Sequence, residues 1–109
     1  MDVIEAATCL EKLGNPMRLE IVRLLVRAGP EGLPVGAIRR HLGVPASTLS
    51  HHILHLVLGG LIHQQREGRV LRCQVDYALM QSLVDMLTEE CCAGVAAPDK
   101  QPDKAREAG

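Results

Sequence analysis

Aromatic side chains are almost missing from this 109-residue chain, which has no Phe, no Trp and a single Tyr, Tyr77. The core must therefore be built from Leu, Val, Ile, Met and Ala. An apolar content of 47% is enough for one packed domain, but a small aliphatic core commonly gains further burial from a second chain. No stretch approaches the roughly 18 uninterrupted apolar residues of a membrane span, and the N-terminus lacks the charged and apolar regions of a signal peptide. A cytoplasmic protein with no membrane partner is the expectation. In a reducing compartment Cys9, Cys73, Cys91 and Cys92 read as free thiols, ligands or redox groups, and not as a disulfide framework. A Gly-rich phosphate loop is also missing, and Ser50-His51 has no orienting acid beside it, so the sequence gives an enzyme little support.

Net charge is −1, yet it is unevenly placed. Residues 33–75 carry Arg39, Arg40, Arg66, Arg69 and Arg72 against Glu67 alone, a local +4 balanced by −5 elsewhere. A basic middle between acidic flanks suits a molecule with one face turned toward phosphate.

Helical periodicity over 4–13 breaks at Gly14. Asn15-Pro16 then supplies a capping side chain followed by proline at a first helical position, opening a second helix that runs to Gly29-Pro30. After a loop at 31–34, residues 35–42 form a third helix ended by Gly43, and 46–58 a fourth. Two short helices joined by a three-residue turn containing Gly are a helix-turn-helix signature. Beyond Gly59-Gly60 the period changes, and Leu61 to Arg66 and Arg69 to Val75 read as a hairpin around Glu67-Gly68. Residues 77–90 return to helix with a broad apolar stripe that calls for a second surface. The predicted fold is mainly α with a β-hairpin wing, in the order ααααββα. Residues 1–92 are expected to form one folded domain, and 93–109 a disordered tail.

On a wheel of the fourth helix, Leu49, Ile53, Leu56 and Val57 face the core. Ser47, His51 and His55 point away, with Thr48 and Ser50 flanking them. Small hydroxyls and free N–H groups at a helix start suit phosphates and base edges. An ordinary solvated face would read the same way in isolation. The adjoining hairpin, with Arg66 and Arg69 near its tip, is what fits contacts to phosphate or the minor groove. His52, at the edge of the apolar arc, reads as structural.

Leu13 to Leu19 (LGNPMRL), Ile38 to His52 (IRRHLGVPASTLSHH), Leu58 to Ile62 and Arg66 to Arg69 together resemble the successive signature segments of the ArsR/SmtB family of metal-sensing repressors. The resemblance spans about residues 5–92. It implies a winged-helix homodimer paired through its first and last helices, bound to double-stranded operator DNA. Ser47, Thr48, Ser50 and His51 match the recognition helix, and Arg66 and Arg69 the wing.

The family's inducer sites lie in several places. A Cys-x-Cys site would fall near 33–38, where Leu33 to Ile38 contains no cysteine, and a zinc site on the last helix would need the histidines this one lacks. Cys91-Cys92 is similar to the vicinal pair of some arsenic-responsive members. The resemblance therefore implies trivalent arsenic or antimony as inducer, since thiolates are soft donors. On an ideal helix neighbouring side chains diverge by about 100°, so joint chelation requires the helix end to unwind, and Gly94 would ease that. Those members carry a further cysteine downstream that is missing here. Cys9 is the candidate third ligand, from the same or the other subunit, whereas methylarsenite would need only the pair. Cys73 is expected to be buried and inert. Two other readings stay open: a thiol-redox repressor in which Cys9 pairs with Cys91 or Cys92, and a dimeric interaction module that does not bind DNA.

Overall fold

The computed structural model describes residues 1–96. Five helices and three strands follow one another as α1 (Val3–Leu13), α2 (Pro16–Ala28), β1 (Leu33–Pro34), α3 (Val35–Leu42), α4 (Ala46–Leu58), β2 (Ile62–Glu67), β3 (Val70–Val75) and α5 (Tyr77–Thr88). This is a winged helix-turn-helix. Of the expected tail, residues 93–96 are exposed and without regular structure, and 97–109 lie outside the described residues.

Local chemistry sets most boundaries. Asp2 accepts from the Glu5 N–H at 2.8 Å while the Glu5 carboxylate accepts from the Asp2 N–H at 2.9 Å, closing a capping box at the start of α1. The Asn15 side chain accepts from the N–H groups of Met17 and Arg18, with Pro16 next to it at the first helical position. Asp76 caps α5 by accepting from the Leu79 N–H at 2.8 Å.

The sequence expectation of four helices before the hairpin missed β1, a two-residue strand inside the 31–34 loop. Leu33 pairs with Cys73 and Pro34 with Arg72, giving an antiparallel sheet of order β1-β3-β2. Proline is tolerated because β1 is an edge strand. Gly32, buried with φ +68°, makes that pairing possible: any Cβ there would drive into the backbone carbonyl of Cys73. The hairpin turn is also displaced by one residue from its expected place. Glu67 pairs with Val70, so the two-residue turn is Gly68-Arg69 and not Glu67-Gly68. Gly68 has φ +64°, as a two-residue turn of this kind requires.

One core joins these elements. Ile21 and Leu25 of α2, Ile38 of α3, Leu49 and Leu56 of α4, Leu61, and Ile62 and Cys73 of the sheet are fully buried together. Outside it, apolar side chains stay exposed on α1 (Val3, Ile4, Leu10) and α5 (Val84, Leu87).

Gly32→Ala combines left-handed strain with a backbone collision. Chemical denaturation should show a loss of about 3 kcal/mol or more, or no folded protein. Asp76→Ala should cost about 1 kcal/mol at pH 7 through loss of a cap. The Leu79 N–H and then the His63 ring hold the Asp76 carboxyl below the ordinary carboxylate value. Its stabilising contribution is therefore complete above the unfolded-state value of about 4 and fades as pH falls through the lower folded value. The difference between wild type and Asp76→Ala should shrink across that acid window.

Candidate nucleic-acid interface and thiol site

Ile53 of α4 is almost fully buried and Val57 half-buried, beside the fully buried Leu49 and Leu56. That fixes the rotation of the helix and leaves Ser47, Thr48, Ser50 and His51 exposed on the opposite side. Pro45 precedes α4 and no side chain caps it, so its first-turn N–H groups remain open to an outside acceptor.

His55 is the exception to the expected polar face. It is half-buried and turned toward α1, where the Lys12 ammonium donates to its Nδ1 at 3.3 Å. An isolated helical wheel has no knowledge that α1 crosses the C-terminal half of α4. His51 and His55 still touch edge to face, with ring centroids 4.6 Å apart. His52 is structural as expected, its Nδ1 accepting from Arg18 Nε at 3.2 Å. Burial, then Arg18 and His51, keep His52 below the ordinary histidine value, consistent with a neutral ring that accepts.

On the wing, Arg72 donates to Glu67 at 3.1 Å. The single acid of the basic segment is thereby neutralised on the sheet. Among the described residues neither Arg66 nor Arg69 has a carboxylate partner, and both are exposed. Arg69 and Arg40 line one groove of about 520 Å³ between α3 and β3. Arg39 and Arg40 flank the Gly43–Pro45 turn. The site residues singled out from sequence omitted these two arginines, although the charge count of 33–75 contained the signal.

The four thiols separate into two classes. Cys73 is fully buried in the sheet, and Cys9 is 3% exposed with its Sγ 3.7 Å from the Gly59 carbonyl. Burial raises both thiols above their ordinary value, aided at Cys9 by Glu5 and opposed at Cys73 by a hydrogen bond from Gln64. Cys91 and Cys92 are exposed, and their sulfurs lie 3.3 Å apart.

The helix does not have to unwind to bring the pair together, because α5 has already ended at Thr88. Glu90 and Cys92 take left-handed backbone angles, φ 59° and 65°, and the Cys91 and Ala93 N–H groups bond back to Thr88 and Glu90. Cys9 is not brought to the pair within one chain. It lines one cavity with Leu79 and Ser82 of the first half of α5, and roughly 9 Å of helix separates Ser82 from Thr88. Among the described residues no group of three or more His, Cys, Asp or Glu side chains is placed to hold an ion. No helix among them is long and apolar enough to cross a membrane.

This architecture, with an open helix-turn-helix and an arginine-bearing wing, defines the winged helix-turn-helix class. Comparison with known proteins gives the family. The helix-turn-helix domain family matches residues 13–65. The HTH-type transcriptional regulator YgaV of Escherichia coli strain K12 is 27% identical over 88 residues, covering 81% of this chain and 87% of YgaV. The transcriptional repressor BigR from Xylella fastidiosa is 30% identical with a TM-score of 0.62, over 83% of this chain and 89% of that one. The homodimeric winged helix-turn-helix domain of Mb0332 from Mycobacterium bovis, a possible ArsR-family regulator, is 29% identical. Its TM-score is 0.63, over 81% and 82% of the two chains. The chain belongs with the winged helix-turn-helix transcriptional regulators of the BigR type.

The burial pattern predicts thiol reactivity directly. Ellman's reagent should titrate two of the four cysteines in the native protein, Cys91 and Cys92, and all four in denaturant. Fast native reaction of Cys9 or Cys73 would contradict the packing described.

Proposed function

We propose that the protein is a homodimeric repressor that grips operator DNA through α4 and the wing and is released when trivalent arsenic or antimony is ligated by Cys91 and Cys92. The observation that carries this reading is the exposed pair of sulfurs 3.3 Å apart just beyond α5, on the same chain as an open helix-turn-helix. Two adjacent soft donors discriminate against hard cations. With Cys9 distant within the chain, the pair alone supplies two thiolates. That suffices for methylarsenite, whose remaining position carries carbon. For arsenite or antimonite, Cys9 of the second subunit or a small exogenous ligand completes the set.

Each side chain has a role in this reading. Ser47, Thr48, Ser50 and His51 present hydroxyls and an imidazole to phosphate oxygens and base edges. Arg66 and Arg69 meet the flanking backbone or minor groove, and Arg40 joins Arg69 along the shared groove. Val3, Ile4 and Leu10 of α1 with Val84 and Leu87 of α5 supply the apolar face that a second copy covers. Ligation beside Leu87 reshapes that packing and so changes the spacing of the two α4 helices. The inducer acts only to the extent that it binds the released geometry more tightly than the DNA-bound one.

Anisotropy with a labelled DNA fragment selected by the protein tests both halves. Ser47→Ala and Arg69→Ala should each weaken binding at least several-fold, and Arg69→Ala should reduce the salt slope by about one charge per subunit. Titrating arsenite or methylarsenite into the complex should free the DNA for wild type. Cys91→Ser and Cys92→Ser should hold on at concentrations at least tenfold higher. Equal release from all three proteins discards the metalloid site, and a Cys9→Ala complex that resists arsenite but yields to methylarsenite assigns Cys9 as the third ligand.

A further inference from the structure

Among the thiols, only the exposed pair is placed for two-electron chemistry inside one chain. Its sulfurs are 3.3 Å apart and exposed, whereas Cys9 on α1 and Cys73 on β3 are buried in the core. We infer that Cys91 and Cys92 close into a reversible vicinal disulfide when a hydroperoxide reaches them, removing both thiolates from metalloid ligation. The bond itself stands on the thiol geometry alone, and only its consequence for ligation rests on the proposed inducer site.

The backbone already brings the two sulfurs into contact. An ideal helix would splay the two side chains by about 100°, but the left-handed angles at Glu90 and Cys92 turn the chain out of the helix and set the sulfurs face to face. The segment is exposed throughout, so an oxidant has access without unfolding. The N–H groups of Cys91 and Ala93 are held by Thr88 and Glu90, which keeps the turn formed while the sulfurs react.

The chemistry balances with the hydroperoxide as the only co-reactant. One thiolate attacks the distal oxygen of ROOH, the O–O bond breaks, the alkoxide takes up a proton and leaves as ROH, and a sulfenic acid remains. The neighbouring sulfur attacks that sulfenic sulfur, the S–S bond forms, and the hydroxyl departs with the second thiol's proton as water. Two thiols have lost two electrons and two protons, and ROOH has become ROH and water. Because the second thiol is in contact with the first, this step is intramolecular and outpaces further oxidation of the sulfenic acid.

Strain makes the bond reversible. Neighbouring Cα atoms across a trans peptide are about 3.8 Å apart, short of the roughly 4.4–6.8 Å found in ordinary disulfides. Strained and exposed disulfides have the more oxidising potentials and are the ones cellular thiols reopen. The pair therefore behaves as a resettable gate and not as a permanent crosslink.

Treatment of the reduced full chain with one equivalent of hydrogen peroxide tests the inference. Intact mass should fall by two hydrogens, and non-reducing electrophoresis should show no covalent dimer. Cleavage after Glu89 and Glu90, which separates Cys91-Cys92 from Cys73, should place the bond in that one peptide. Cys91→Ser and Cys92→Ser, changed at exposed positions beyond the helix, should lose the effect while the fold is retained by circular dichroism. A bond linking Cys9 to either cysteine, a disulfide-linked dimer, or addition of two or three oxygens to the pair would overturn it. Peptide mapping of the wild type decides this even if a Cys9 variant fails to fold. Arsenite binding by calorimetry should vanish after oxidation and return after reduction by a monothiol that is then removed. If the reduced protein never binds arsenite while the peptide carries the bond, the metalloid reading falls and the disulfide stands.

Discussion

The burial of Leu49, Ile53 and Leu56 against Ile21 and Leu25 of α2 and Ile62 of the sheet determines what this molecule can present to a partner. These contacts set the rotation of α4. If it turned by a third of a revolution, the hydroxyls of Ser47 and Ser50 would enter an apolar core with no acceptor, at a cost of about 1–3 kcal/mol each. The polar face is thus held outward by what lies behind it. In a core without phenylalanine or tryptophan this restraint comes from many small aliphatic contacts, each sensitive to shape.

The charge arrangement rests on that frame. A net charge of −1 describes the whole chain poorly, since antiparallel pairing places Glu67 within reach of Arg72 and consumes both within the sheet. Arg66 and Arg69 are left exposed near the turn, and β1 draws the start of α3 up to β3 so that Arg40 shares a groove with Arg69. The two-residue strand therefore matters beyond its size, because it aligns the basic edge of the helix-turn-helix with the wing. Gly32, which no other residue could replace without striking Cys73, is what admits it.

Where periodicity and punctuation acted together, the sequence was readable almost to the residue. Asn15-Pro16 opened α2, Gly43 closed α3, and the span 46–58 matched α4. The features that escaped are those decided by tertiary contact. β1 has two residues, one of them proline, which is too short for any period to register. The hairpin turn moved by one position because the register follows the buried Ile62, Cys73 and Val75 and not the local turn dipeptide. His55 left the polar face because Lys12 of α1 lies beside it. The thiol pair was identified by residue type, but its closeness depends on left-handed angles at Glu90 and Cys92, which non-glycine residues seldom adopt and a sequence pattern does not announce.

In the proposed function, a change at the pair reaches the exposed face of α4 because α5 is fastened at its other end. Asp76, the cap of α5, accepts from the His63 ring of β2 at 2.7 Å, and its N–H donates to the Leu61 carbonyl at the end of the α4–β2 connection. The helix is 12 residues long, roughly 18 Å of stiff rod, with the wing at its start and the thiols just past its end. Val84 and Leu87 lie exposed between the two. Whatever covers those side chains therefore senses both ends. A small rearrangement of the 89–93 turn has little effect on α4 by direct contact, but it acts on a helix whose far end is tied to the wing and whose middle is an unsatisfied apolar face. That gives a local event at two sulfurs a mechanical route to the recognition surface, provided the two packings of α5 differ in free energy.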